Sequence, residues 1–492
     1  MKLLSPPSWG SLQTKEATHM NGATPPSKEP FYVPILALFS PVKPWRHNFE
    51  TKKGVYFPYT RSMDAGTWRR SGTVAAVLAA LVLSGAPARA DNPEPRPQRP
   101  PVGEPPTSEA KPRTKLTPRD DVPAGWASWD AVWAEQNRLN AVADRIVAAG
   151  GDGFAGLVVD PDQHDVRLYW KGALPAAVRA VVAEGQLQVP VQVIAAPYSD
   201  SEMRAEAQRW LDSGLATDAY AKADGSGVAV EVAGDASAGA PVLPGGSTMP
   251  FTVKYGQQPF VPLVGEAPAV TDPPSVTAPT WNRQYDISPF WGGARIWNHD
   301  ENSLCSVAFA VIDSEGYPGL LTAGHCGSHG NHISTGWYSD TVGTYWWDYD
   351  YHDVGIIWPW AGSDAFVFVG PFDSTQSRAV AYAGSNYKGN YVCTSGATSG
   401  EHCSVKVYYR SPSDVTVRAY RTKGGACAIA PGDSGGAVIA DEGGDAVGLG
   451  IISAGSEPVS TCEPNSGSGY RKVMYKGLKY ALNQFNATLK TH

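Results

Sequence analysis

Two hydrophobic periods alternate along the chain, and the switch between them divides it. Trp129, Val132, Trp133, Leu139, Val142 and Ile146 recur at helical spacing up to Gly150-Gly151, which predicts an amphipathic helix from about Trp126, ended by glycine. Two apolar runs follow, at 155–160 and 166–170, and the turn residues Pro161-Asp162-Gln163 between them suggest paired strands. A further helix is predicted from about Pro175, because proline suits the first helical turn. A strand around Val189–Ala195 and a helix from about Ser201 to Leu211 come next. The pattern over 228–264 is weaker and compatible with additional strands. Residues 126–264 thus form a small α/β module with no cysteine and no cluster of catalytic residue types.

Breaker-rich stretches flank this module. Gly265–Pro279 (GEAPAVTDPPSVTAP) reads as a linker extending to 281. Residues 91–125 are rich in proline and charge, bury too little apolar surface to fold, and read as another linker. Over 282–492 the pattern becomes short alternating strands with turns every ten residues or so, which favours an all-β barrel or sandwich. The C-terminus differs again: Val473, Tyr475, Leu478, Leu482 and Phe485 predict one amphipathic helix.

The N-terminal apolar run has another meaning. Arg69-Arg70, the run Val74–Leu83 and Ala88-Arg89-Ala90 form a basic region, a short hydrophobic region and a small-x-small cleavage site. Together they describe a secretory signal over 63–90, too short to span a bilayer comfortably. Residues 1–62 show no sustained periodicity and read as an irregular extension or a mis-assigned start, with Met63 as the alternative beginning.

Composition sharpens this picture at two points. A net charge of −7 over 492 residues gives no electrostatic case for nucleic acid as a partner. Six cysteines, Cys305, Cys326, Cys393, Cys403, Cys427 and Cys462, all lie beyond residue 300 and form no CxxC pair. They read as a disulfide framework made in an oxidising compartment, and spacing alone leaves all pairings open. With the signal, this predicts a secreted, extracellular protein without stable membrane association.

The chemistry lies in two segments of the β-rich region, LLTAGHCG at Leu320–Gly327 and APGDSGG at Ala430–Gly436. A serine hydroxyl is a poor nucleophile until a base takes its proton, and His325 ahead of Ser434 supplies base and nucleophile in the chain order His…Asp…Ser. Asp353 is the best third member because it leads into the apolar run Val354–Ile357, where it would be buried beside the imidazole. Asp350 is the runner-up. The glycines around Ser434 let the amides of Gly432 and Ser434 converge on a developing oxyanion. His329, His332 and His352 invite a metal reading, but there is no HExxH and no cysteine pair near them, so no metal or cofactor is expected.

These motifs resemble those of the chymotrypsin-like serine proteases, in particular the bacterial branch of streptogrisin and α-lytic endopeptidase. TAGHC, HDVGII, VCTSGATSGEHC at 392–403, CAIAPGDSGG at 427–436 and GLGIISAG at 448–455 carry the likeness, which covers about 282–492. The resemblance implies a double β-barrel with the site between the barrels, followed by the C-terminal helix. It also implies the pairs Cys305–Cys326, Cys393–Cys403 and Cys427–Cys462. Ser453, Ala454 and Gly455 would line the specificity pocket and pair with substrate backbone, with Ala428 and Ile429 on another wall. Residues 126–264 look similar to the pro-regions of this branch, which assist folding and inhibit until removed.

The expectation is therefore a monomeric secreted serine endopeptidase made as a preproprotein, acting on polypeptides through His325, Asp353 and Ser434. Its own pro-region is the expected intramolecular partner, with a junction near Thr280–Asp286. No acidic residue stands in Ala428–Pro431 to counter a Lys or Arg, so a neutral, apolar P1 residue is expected. The rivals are an esterase or acyltransferase on the same site, a non-catalytic binding relative, and an α/β half that is a separate ligand-binding domain.

Overall fold

A stripe of apolar side chains makes the first helix, α1 (Trp129–Ala149). Trp129, Val132, Trp133, Leu139, Val142 and Ile146 are all buried on one face, as the spacing predicts. The Ser128 hydroxyl accepts from the Ala131 amide, and Gly150 at φ 60° ends the helix. In the computed structural model the residues described are 120–234, 248–266, 281–335, 340–349, 352–462 and 467–492. All of them belong to one compact unit, Pro93–His492. The signal-like segment 63–90, the 1–62 lead, most of the 91–125 linker and Asp350 lie outside the described residues.

Behind α1 stands a three-stranded sheet of Phe154–Asp160, Asp165–Trp170 and Val191–Ala195. It is packed with α2 (Ala176–Gln186) around Leu157, Leu168, Trp170 and Val182. The turn between the first two strands is a single 3-10 turn over Pro161–Gln163. Next comes α3 (Asp200–Asp212), begun by a capping box in which Ser199 and Glu202 satisfy each other's backbone amides. It covers a second three-stranded sheet of Asp218–Ala221, Val228–Glu231 and Phe251–Lys254, so the weakly patterned 228–264 stretch does contribute strands.

The rest of the chain is dominated by two larger sheets. In one, Pro318–Thr322 pairs with Val354–Pro359, which pairs with Asp340–Tyr349 and so on through His332–Thr335, Arg295–Asn298 and Ser303–Ser306. In the other, Ala437–Glu442, Tyr391–Gly396, Gly400–Arg410, Val417–Arg421, Gly469–Gly477 and Asp445–Val459 follow one another. The last of these pairs back with the first, closing a ring of six strands. The core runs between the sheets, bringing Phe309, Leu321 and Ile356 of one into the same cluster as Val405, Ile439 and Ile451 of the other.

The architecture is thus mostly β with a few helices. One element differs from the sequence reading. The C-terminal helix, α4, spans only Leu478–Gln484, while Val473 and Tyr475 lie in the Gly469–Gly477 strand. Their spacing of two is the period of a strand and does not put them on one face of a helix, and pairing with Val417–Arg421 on one side and Asp445–Val459 on the other fixes the strand.

The pairs Cys305–Cys326, Cys393–Cys403 and Cys427–Cys462 are disulfide-bonded. Each contributes roughly 2–4 kcal/mol by restricting the unfolded chain. Metal-ligand clusters of His, Cys and Glu among the described residues are built on these bonded sulfurs, which are not thiolates.

Candidate active site

Register brings two of the three predicted side chains together. Leu320, Leu321 and Thr322 pair with Ile357, Ile356 and Gly355, so the turn that follows the first strand lies beside the residue that precedes the second. That turn is Gly324–Cys326 and that residue is Asp353. Asp353 has φ 51°, a left-handed conformation that turns the chain into the strand. The turn carrying His325 is held from below by the Tyr345 hydroxyl, which donates to the carbonyls of Ala323 (2.9 Å) and Gly324 (3.0 Å). The Cys305–Cys326 bond fixes the adjoining residue.

Ser434 reaches the pair from the other sheet. Gly432, at φ +95°, and Gly435, at φ +82°, give the loop its tight turns. The fully buried Asp433 carboxylate braces it, accepting from the amides of Ala430 (2.7 Å), Thr398 (2.8 Å) and Ser399 (3.0 Å) and from the Ser399 hydroxyl (2.5 Å). Ser306 ties the loop to the first sheet, its hydroxyl donating to Gly432 O at 2.8 Å and its amide to Ser434 O at 2.7 Å.

The three side chains form a chain of hydrogen bonds. His325 Nδ1 lies 2.7 Å from Asp353 Oδ1, and His325 Nε2 lies 2.7 Å from Ser434 Oγ. The same Asp353 oxygen accepts from the His325 amide at 3.0 Å, and its other oxygen accepts from the Ser453 hydroxyl. Burial works against charge on Asp353. The bonds from the imidazole, from Ser453 and from the His325 amide outweigh it, holding the carboxyl below its ordinary value. An ionised Asp353 keeps Nδ1–H pointing at itself and leaves Nε2 free to take the Ser434 proton.

The cleft holds a stretch of the chain itself. Val261–Pro262 forms a short antiparallel ladder with the Asp445–Val459 strand, Pro262 opposite Ala454 and Val261 opposite Gly455. The next residue, Leu263, is 1 % exposed and packs into the apolar cluster that contains Ala428 and Ile429. Its carbonyl accepts from the Gly432 amide at 2.6 Å, and its amide donates to Ser434 Oγ at 3.2 Å. Of the two amides read as an oxyanion pocket, the Gly432 amide thus already meets a peptide carbonyl. Of the five residues that the sequence reading assigns to substrate binding, Ala454 and Gly455 pair with Pro262 and Val261, Ala428 and Ile429 share the apolar cluster of Leu263, and Ser453 bonds to Asp353.

Three contributors are not evident from the motifs. Tyr345 supports the histidine turn, Ser453 bonds to Asp353, and Val261–Leu263 occupies the cleft. Each depends on residues far apart in sequence. The only local hint is the apolar Val-Pro-Leu-Val run just before the breaker-rich linker. His329 bonds to the Trp346 carbonyl at 2.5 Å, and the His332 amide donates to Asp300 at 2.7 Å.

Among solved structures the chain is similar to a Nocardiopsis protease, at 25 % identity and a TM-score of 0.31, over 41 % of this chain and 99 % of that one. It is similar to a glutamic acid-specific serine protease that uses a novel histidine triad in substrate binding, at 26 % identity and a TM-score of 0.32, over 40 % of this chain and 99 % of that one. A third neighbour is an alpha-lytic protease homolog, at 19 % identity and a TM-score of 0.30, over 40 % of this chain and 98 % of that one. These structural neighbours are chymotrypsin-like serine proteases. No family model matches the chain, and no curated protein matches it.

Proposed function

We propose that this chain is a serine endopeptidase, secreted as a preproprotein, whose α/β half inhibits the β-rich half until it is removed. One observation carries the reading: His325 bridges Asp353 and Ser434 while the Gly432 amide holds a peptide carbonyl beside Ser434. In this reading Ser434 Oγ attacks the carbonyl, His325 takes its proton and passes it to the leaving amine, and Asp353 orients the imidazole. The Gly432 and Ser434 amides stabilise the oxyanion, and removal of one such donor typically costs on the order of 10²–10³ in rate.

A polypeptide substrate is favoured over a simple ester because the Ala454–Gly455 edge is paired with backbone, a mode in which main-chain hydrogen bonds supply affinity. Burial of Leu263 with Ala428 and Ile429 supports an apolar P1 residue. The disulfides are consistent with an extracellular location, and no helix among the described residues is long and apolar enough to cross a membrane. A serine-directed phosphonate tests the proposal on processed protein: labelling at Ser434, with cleavage of casein, is expected. Absence of labelling at Ser434 refutes it, and hydrolysis of a short ester without any casein cleavage favours the esterase.

A further inference from the structure

We infer that the bond between Leu263 and Val264 is this chain's own substrate, hydrolysed in cis as the first processing cut; the inference rests on the peptidase reading above. The chain is laid through the cleft in register on both sides of that bond. Upstream, the Lys472 ammonium meets the Gln257 side chain at 2.8 Å, the Ser456 hydroxyl donates to Gln258 O at 2.7 Å, and Val261–Pro262 pairs with Ala454–Gly455. Downstream, Gly265–Glu266 crosses to the other sheet and pairs with Ser303–Leu304. A side chain at 265 would crowd Gly432, whose Cα would lie 3.1 Å from the new Cβ, so glycine lets the strand pass close to the site.

Between these two anchors sit the buried Leu263, its carbonyl on the Gly432 amide, and Val264, which is 41 % exposed. The acyl side of the bond is gripped, while on the amine side Val264 is exposed before the chain pairs again at Gly265–Glu266. By contrast, the end of the linker is built into the fold. Arg283 is fully buried and donates to Gly396 O (2.6 Å) and Ser395 Oγ (2.8 Å), and the buried Asp286 accepts from the Trp291 amide (2.7 Å). The cut therefore falls upstream of the Thr280–Asp286 region that the sequence suggests, and its product begins at Val264.

The chemistry balances without a co-reactant other than water. Ser434 Oγ bonds to the Leu263 carbonyl carbon and its proton moves to His325 Nε2. The carbon–nitrogen bond to Val264 then breaks, and the departing nitrogen takes that proton. Water attacks the Leu263 ester, gives a proton to His325, and Ser434 recovers it. One water is added, leaving a carboxylate at Leu263 and an amino terminus at Val264.

The full chain and its Ser434→Ala variant test this by intact mass and N-terminal sequencing over a time course. The expected result is a fragment ending at Leu263 from the unaltered chain, formed at a rate independent of protein concentration, and none from the variant. Leu263→Met should still be cut there, whereas Leu263→Asp, which places a charge in the apolar site, should slow that cut by about a hundredfold or more. A chain that releases no fragment ending at Leu263, although its β-rich half hydrolyses a Val-Pro-Leu anilide once the α/β half is removed by limited proteolysis, overturns the inference and leaves the peptidase reading standing. A β-rich half that, once freed in this way, neither cleaves the anilide nor takes up the phosphonate at Ser434 overturns both.

Discussion

At the scale of single residues, Asp353 makes the sharpest prediction. Its carboxylate touches His325 twice and Ser453 once, so Asp353→Asn preserves the shape but favours the wrong imidazole tautomer. Turnover of a processed enzyme should fall on the order of 10⁴-fold with little change in KM, measured with a peptide anilide. A fall in affinity with turnover retained would contradict the assigned role. The same residue predicts a pH dependence. Because the folded protein holds Asp353 below its ordinary value of 3.8, the folded state binds fewer protons there than the unfolded state. Its contribution to stability is complete above the ordinary value and is lost as pH falls through the folded one. Urea midpoints of the parent and Asp353→Asn should accordingly differ near neutrality and converge in acid; a constant difference would exclude this origin. His325, Ser434 and Asp353 were all legible from sequence, since each sits in a short segment whose composition suits its task. The sequence suggests Ser453 for substrate binding and gives no sign of its bond to Asp353, because that contact joins positions one hundred residues apart and is made only by folding.

At the scale of elements, the positioning of His325 depends on how the strand Val354–Pro359 crosses behind it. Tyr345 lies on the neighbouring strand, and its hydroxyl passes beside Gly355 to reach the carbonyls of Ala323 and Gly324. A Cβ on Gly355 would overlap that hydroxyl, so glycine is required here for close approach. Gly355→Ala should displace the tyrosine and lose the buried hydrogen bond that its one hydroxyl proton shares between the two carbonyls, a contribution of about 1 kcal/mol. The expected outcome is a lower melting temperature together with weaker phosphonate labelling at Ser434, read by calorimetry and mass spectrometry. Unchanged labelling in a destabilised variant would show that the turn holds without Tyr345. Patterning predicted α1, α2 and α3 because each carries an apolar stripe at helical spacing; α2 and α3 bury theirs within the α/β module, whereas Trp129, Val132 and Trp133 of α1 join the core of the larger sheets. It overextended the C-terminal helix because Tyr475 stands at helical spacing from Leu478 and Leu482, whereas Val473 and Tyr475 alternate as in a strand and pair with strands on both sides.

At the scale of the whole molecule, two aspartates of the α/β module and one just ahead of it meet three basic side chains of the ring of strands. Asp120 pairs with Arg421 at 2.5 Å, Asp162 with Lys406 at 2.7 Å and Asp218 with Arg418 at 2.8 Å. Asp120 lies in the stretch read from sequence as linker. Proline and charge mark a segment that cannot fold alone, but they do not show that its last residues dock on a distant strand. Gln136 adds a two-way bond to the Tyr391 backbone, at 3.0 and 2.6 Å. A cut at Leu263 would break only the covalent tether and leave these contacts, with Val261–Pro262 still paired in the cleft, so the module should go on blocking the site. Arg418 is the contact to test. Its guanidinium sits among the rings of Tyr220, Tyr409 and Phe260 and faces Asp218, whose burial raises its own carboxyl. Breaking a buried pair by removing one partner costs roughly 3–5 kcal/mol, because the remaining charge is left in a dry site. Arg418→Met should therefore shorten the lag before a small peptide anilide is hydrolysed by the full chain, on the order of a hundredfold. Lowering the pH should narrow the gap, since protonation neutralises the orphaned Asp218 in the variant. An unchanged lag in Arg418→Met, with the Leu263 fragment still formed, would mean that the module is held in the cleft by its C-terminal strand and not by this charged face.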